Sequence, residues 1–289
     1  MYEIRFFPPD DSLTPYVNGY LFSSYTLDGT EKPFFTPKGT AALVINIEIS
    51  ESSYLEYPKP DVKLYFEKYA PYLFGQMSRL GKSHLDGQFA PFVIVFTPTG
   101  LYQFLDEPSN QMTDKAYKLE DLGYHELANK LKNLFATASR VEDCIPELNR
   151  ILSDYFSTKT FKSPAFDMAP VANEILLSNG LVSLDALIDR LKINPRTFQI
   201  QFKNQVGLSP KLFCRITRFN SLLVALDQNP KADLLELALD FGYSDNPHLY
   251  KDFKQFVGMT PRQYLRLILN INSKVELELK RNPPKLKPS

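Results

Sequence analysis

Residues 233–264 read DLLELALDFGYSDNPHLYKDFKQFVGMTPRQY. Asp233 can cap a helix on which Leu234, Leu237, Ala238 and Phe241 share one face at i, i+3, i+4 and i+7 spacing, and Gly242 can end it. Ser244 or Asp245 can cap a second helix that buries Leu249, Phe253, Phe256 and Val257 and leaves Asn246, His248, Lys251 and Lys254 outside. Gly258 stops that helix. Thr260, Pro261 and Gln263 then supply the cap, the first-turn proline and the capping-box partner of a third. Two short helices about a glycine turn predict a helix-turn-helix, whose second helix can enter a major groove.

Working outward, the same pattern recurs 51 residues earlier. Leu184 meets Leu235, Phe198 meets Leu249, Phe202-Lys203 meets Phe253-Lys254, and Gly207-Leu208-Ser209-Pro210 meets Gly258-Met259-Thr260-Pro261. Ser183 is the expected cap of a first positioning helix carrying Leu184, Leu187, Ile188 and Leu191. Asn194-Pro195 would start its recognition helix, with Arg196, Thr197, Gln199, Ile200 and Lys203 on the outward face. A long helix over 210–228, with Phe213, Ile216, Phe219, Leu223 and Leu226 inside, would join the two units. Such a joint would set two readers in successive major grooves roughly 34 Å apart.

The quoted stretch resembles the signature of the AraC/XylS family of transcription regulators. Leu237-Ala238, Phe241-Gly242-Tyr243-Ser244-Asp245, Leu249, Phe253-Lys254, Gly258-Met259-Thr260-Pro261 and Tyr264 follow the family's order. Tyr243 stands where the family has Phe, Pro247 and His248 stand where small polar residues are usual, and Arg266 comes slightly late. The resemblance implies sequence-specific binding to double-stranded DNA. Base-reading candidates are Arg196, Thr197, Gln199, Ile200, Asn246, His248 and Lys251. Arg196 can pair bidentately with guanine, and Gln199 and Asn246 have the amide geometry for adenine. Lys203, Lys211, Lys254 and Arg262 are the phosphate candidates, helped by amide groups at capped helix starts. His248 and Lys251 suit either role. Ile200 stands where the family often has Arg, so it either meets a thymine methyl or forgoes a base contact.

Net charge is zero, yet residues 1–163 hold 16 Lys/Arg against 21 Asp/Glu while residues 164–289 hold 17 against 12. This split is expected when one half meets phosphate. A chain of 289 residues with 44% hydrophobic content is long enough for two domains. Stretches 16–27, 40–49, 69–77 and 90–97 are rich in β-branched and aromatic residues and read as strands. From Leu119 the period changes to that of two amphipathic helices, parted near 139–143. The expected fold class is α+β. It has a β-rich sensor with two trailing helices over 1–157, a linker at 158–165, an all-α double helix-turn-helix over 166–272 and an extension at 273–289. The order KGTAALVIN, FGQMSR, FVIVFTPTGLYQFL and a helical tail is similar to the sensor domain of one AraC-family subgroup. That similarity implies a cupin-related fold and a small effector, with no legible ligand residues. The trailing helices would then make dimer contacts or pack on the sheet.

Enzyme classes find little support. His84, His125 and His248 show no HxH or HExxH spacing, so a cupin-type metal centre lacks ligands unless carboxylates replace them. No Gly-rich phosphate loop or Gly-x-Ser-x-Gly occurs; Gly39, Gly75, Gly81, Gly87 and Gly100 read as turn residues. Cys144 and Cys214 suit reduced core thiols, and Cys144, beside Asp143, lacks the basic setting of a reactive thiol. The N-terminus has no apolar signal core, which predicts a cytoplasmic chain. The expectation is a regulator without catalytic activity, metal or cofactor, away from membranes. Its partners would be double-stranded DNA and a small effector, with RNA polymerase and a second copy of the chain as further classes. The alternatives are a protein-interaction module with a degenerate helix-turn-helix, or a cupin-like metal enzyme fused to a DNA-binding domain.

Overall fold

The computed structural model describes residues 2–27, 34–57, 62–105, 107–159 and 164–267. Residues 160–163 of the expected linker and the extension at 273–289 lie outside the described residues. Met1–Thr217 form one compact unit and Arg218–Ser289 a second. The boundary falls inside a helix rather than at the linker, because the first helix-turn-helix packs into the β-rich unit.

Ten strands occur among the described residues: β1 (Tyr2–Phe7), β2 (Val17–Leu27), β3 (Phe34–Phe35), β4 (Ala42–Glu48), β5 (Tyr54–Glu56), β6 (Lys63–Tyr65), β7 (Pro71–Phe74), β8 (Gly81–His84), β9 (Gly87–Phe96) and β10 (Ala116–Lys118). They form a six-stranded sheet in the order β1-β2-β9-β4-β7-β10 and a four-stranded sheet in the order β3-β8-β5-β6. The four stretches read as strands are β2, β4, β7 and β9, the inner strands of the larger sheet. Of the others, β1 carries an alternation of Tyr2, Ile4 and Phe6 with Glu3 and Arg5 that the sequence reading missed, and the rest run two to four residues, too short to display a clear two-residue period.

Alternation sorts the side chains of the larger sheet onto two faces. Tyr20, Phe22, Phe92, Ile94 and Phe96 enter a core closed by α1 (Gly100–Leu105), α2 (His125–Thr137) and α3 (Ile145–Ser157). Leu127, Leu131 and Phe135 of α2 and Leu148, Ile151 and Leu152 of α3 are buried there. Each such side chain stabilises the fold by about 1.5–3 kcal/mol, so the apolar stripes of both trailing helices are covered by the sheet. The other face packs between the two sheets, where Val44, Tyr72 and Phe74 meet Leu55 and Phe66. Of the glycines read as turn residues, Gly39 and Gly87 do hold left-handed φ of 73° and 68°. Gly75 serves packing instead. A Cβ there would lie 1.9 Å from the Met112 carbonyl oxygen, so its bare backbone admits the close approach of the segment before β10.

Candidate nucleic-acid interface

The first motif comprises α4 (Ala169–Leu177), α5 (Leu184–Leu191) and α6 (Pro195–Val206). Ser183 Oγ accepts from the Ala186 N–H at 3.2 Å to open α5, and Lys192, at φ 50°, closes it. Asn194 Oδ1 accepts from the Arg196 N–H at 2.9 Å. Pro195 follows at the first position of α6, where an N–H would have no helical partner. Phe198 and Phe202 are buried, whereas Arg196, Gln199, Ile200 and Lys203 are exposed and Thr197 is half-buried. Gly207 ends the helix at φ 91°.

Two sets of bonds hold the last turn of α6. Gln205, only 2% exposed, accepts from the Met168 N–H at 2.9 Å and donates to the Phe166 carbonyl at 2.7 Å, joining α6 to the start of α4. From the β-rich domain, Ser109 Oγ donates to the Gln205 carbonyl at 3.1 Å and Thr113 Oγ1 donates to the Gly207 carbonyl. These hydroxyls take up backbone acceptors that a helix end leaves without an internal partner. The β-rich domain thus helps to orient α6. Sequence reasoning missed Ser109, Thr113 and Gln205. A glutamine placed among core positions of α6 was the one available signal.

The second motif uses α7 (Pro210–Gln228), which spans the unit boundary, with α8 (Leu234–Asp240) and α9 (Asn246–Phe256). Asp233 Oδ1 accepts from the Leu235 and Glu236 N–H groups at 2.8 and 3.2 Å. Gly242 takes the left-handed turn at φ 70°, and its N–H donates to the Leu239 carbonyl at 2.8 Å. Of the two caps considered for α9, Asp245 serves, its Oδ1 accepting from the His248 N–H at 2.8 Å. Phe219 of α7 lies edge-on to Phe253 with centroids 4.9 Å apart, fixing the inner face of α9. Asn246, His248, Lys251 and Lys254 remain exposed on the outer one. Tyr243, buried, donates its hydroxyl to Asp252 Oδ2 at 3.0 Å and so braces the turn against α9. Residues 261–267 open the next helix through the expected capping box, in which Gln263 Oε1 accepts from the Thr260 N–H at 2.8 Å.

The repeat has a slip that a single offset hides. The caps Ser183 and Asp233, like the left-handed Lys192 and Gly242, stand 50 apart, whereas the caps Asn194 and Asp245 stand 51 apart. The second turn therefore holds one more residue, and the matching of Leu184 to Leu235 is corrected to Leu234 by the caps. The offset of 51 holds for α6 and α9, and it sets Tyr250, 44% exposed, where α6 has Gln199. Tyr250 was not among the expected contacts.

Residues 187–267 match a family model described as a helix-turn-helix domain, and residues 5–118 match a domain family of unknown function, DUF6597. Residues 187–267 are an AraC-type helix-turn-helix domain. The chain is 29% identical over 126 residues to the transcriptional regulator VirS of Mycobacterium tuberculosis, covering 43% of this chain and 36% of VirS. It is 30% identical over 82 residues to MtrA of Neisseria gonorrhoeae, covering 28% of this chain and 27% of MtrA. The matched stretches thus span about a third of these curated relatives or less. ToxT of Vibrio cholerae, bound to (E)-4-(8-methylnaphthalen-1-yl)but-3-enoic acid, shares the fold with a TM-score of 0.51 at 13% identity, over 86% of this chain and 99% of that one. An apo ToxT variant gives 0.50 at 11% identity, over 86% and 97%. The β-rich domain followed by a helical one is therefore a two-domain fold of the ToxT type.

Within the AraC-type domain the expected phosphate candidates Lys203, Lys211, Lys254 and Arg262 are all exposed. Lys203 and Lys254 lie in the last turns of α6 and α9, where the helix dipole favours a cation. Arg196 and Asn246 lie in the first turns instead. Among the described residues no group of three or more His, Cys, Asp or Glu could hold a metal ion. No described helix is long and apolar enough to cross a membrane.

Proposed function

We propose that this chain is a sequence-specific, DNA-binding transcription regulator whose N-terminal domain responds to a small effector. The observation that carries the reading is the pair of capped recognition helices. In each, aromatic residues lock the inner face while an outer face of Arg196, Gln199, Ile200 and Lys203, or of Asn246, His248, Lys251 and Lys254, stays free of the core. Arg196, Gln199 and Asn246 read bases, with Thr197, Ile200, His248 and Lys251 beside them. Lys203, Lys211, Lys254 and Arg262 hold phosphates. The effector reading is supported by the ToxT-type fold, since that protein is seen with an aryl alkenoic acid bound. RNA polymerase and a second copy of the chain are partners of the regulatory act, which takes place in the cytoplasm without catalysis.

The test is a mobility-shift titration of the full chain on the DNA upstream of its own gene and on random duplex, from low to high salt. A preferred site, with affinity falling steeply as salt rises through counterion release, is expected. Equal or absent binding to both at low salt would favour the protein-interaction alternative.

A further inference from the structure

One row of side chains on the larger sheet differs from its surroundings. Ile4 pairs with Ser23 across β1 and β2. Ser23 continues the register that pairs Phe22 with Phe92 and Tyr25 with Phe89, which sets it beside Pro91 of β9. Pro91 pairs in turn with Asn46 of β4. Ile4, Ser23, Pro91 and Asn46 therefore stand abreast over four strands, about 14 Å at the usual strand spacing. Exposure falls along the row, from 53% at Ile4 on the edge strand to 4% at Ser23 and 1% at Asn46.

Asn46 alternates with Ile45, which belongs to the helix-covered core, and so shares the face of Val44, turned to the smaller sheet. The buried apolar filling on that face is in two clusters, and the partly buried Phe35 and Ile49 pack against both. Val44, Leu55, Tyr72 and Phe74 belong to one, and Leu27, Leu85 and Phe89 to the other. Val44 lies two residues from Asn46 along β4, and Phe89 two residues from Pro91 along β9, so the row falls between the clusters.

Neither Oδ1 nor Nδ2 of Asn46 has a hydrogen-bond partner, and both are fully buried. A buried polar group left unpaired is costly, and native folds rarely retain one without a function. The backbone cannot relieve it locally. Pro91 has no N–H, the pairing of β4 with β9 slips between Asn46 and Glu48, and the Asn46 carbonyl already accepts from the Tyr69 N–H at 2.8 Å. Buried polar residues of the described first unit are all uncharged.

We propose that this row is the effector site, and that it takes a neutral, mostly apolar small molecule whose single polar head, an amide or a hydroxyl, both donates to Asn46 Oδ1 and accepts from Nδ2. The apolar body lies over Pro91 between the two clusters and enters past Ile4. A carboxylate head fits poorly, since it offers no donor to Oδ1 and finds no buried cation to offset its desolvation. The proposal rests on the effector part of the function above, and its chemistry departs from the acid held by ToxT.

The test compares 1-naphthaleneacetamide, 1-naphthaleneacetate and naphthalene as probes of the full chain, by calorimetry and by shift of the unfolding temperature. The amide is expected to bind about tenfold tighter than the carboxylate, the ratio that one well-made buried hydrogen bond supports. Asn46→Leu removes the unpaired amide at similar volume, and it should erase that preference while naphthalene binding stays. Should Asn46→Leu fail to fold, Asn46→Ser, which replaces the amide by one shorter hydroxyl, is expected to weaken the amide several-fold and leave naphthalene unchanged. Three results overturn the proposal: carboxylate bound as tightly as amide, unchanged amide affinity in either folded variant, or no shift from any probe. Unchanged affinity would mean that Asn46 merely holds water. DNA binding, measured on the same samples without probe, fails or succeeds independently and judges the regulator reading alone.

Discussion

Replacing Gln205 by Leu tests whether the joint between α4 and α6 holds the first recognition helix in place. The side chain is 2% exposed and satisfies two backbone groups at once, the Met168 N–H at 2.9 Å and the Phe166 carbonyl at 2.7 Å. Leu fills a similar volume, so cavity formation contributes little. The Met168 N–H, buried and unpaired, costs about 1–3 kcal/mol, and the carbonyl beside the more exposed Phe166 costs about 1 kcal/mol. Added apolar burial returns about 1 kcal/mol. The net expectation is a loss of about 2 kcal/mol, which in a unit of this size lowers the unfolding temperature by about 4–8 °C. Urea and thermal unfolding of the full chain measure it, and base preference at the positions read by α6 should relax while those read by α9 stay sharp. A loss under about 0.5 kcal/mol, the scatter of ordinary surface changes, would refute the claim that Gln205 is the joint.

Other substitutions separate reading from holding. Arg196→Ala should cost about 1–3 kcal/mol on the best site and relax preference at one base pair, measured by competition with single-base variants. Lys254→Ala should weaken all sequences nearly alike and reduce the salt slope by about one, so a change of base preference there would reverse the docking orientation. Asp245→Ala removes the cap that accepts from the His248 N–H and should destabilise the second motif by about 1 kcal/mol, with Asp245→Ser restoring most of it in urea unfolding. Burial, with Asp143 nearby, pushes the Cys144 thiol up from 9.0 to about 11. At pH 8 a thiol reagent should therefore label it far more slowly in the folded chain than in urea. Because the folded value is the raised one, its contribution to stability is present below pH 9 and is lost as pH rises towards 11.

Both motifs were legible because their signals are local. Caps, glycine stops and i, i+3, i+4 spacing lie within a turn or two of the bonds they predict, and Asp233, Asn194, Ser183 and the Thr260-Gln263 box all form as read. The long helix joining the motifs showed its period over 19 residues, and the four inner strands, β7 with only four residues among them, were legible from their β-branched and aromatic content. Short strands such as β5, β6 and β10 gave no such signal, because three residues cannot establish alternation. The one-residue slip in the repeat was hidden, since the stronger match in the recognition helices imposed its offset on the weaker helix before them.

What the sequence by itself determined, then, is the set of elements, the outward faces of α6 and α9 and the family to which the motif belongs. Each follows from interactions between residues a few positions apart. Only the tertiary structure decided that the first motif shares a compact unit with the β-rich domain, through Ser109 and Thr113, which precede their partners by 96 and 94 residues. It also decided that Asn46, an ordinary polar residue in a strand, stands buried beside a proline 45 positions away with nothing to bond. Periodicity says which face a side chain takes. The partner across that face depends on strand order and register, which long-range packing sets and no local pattern encodes.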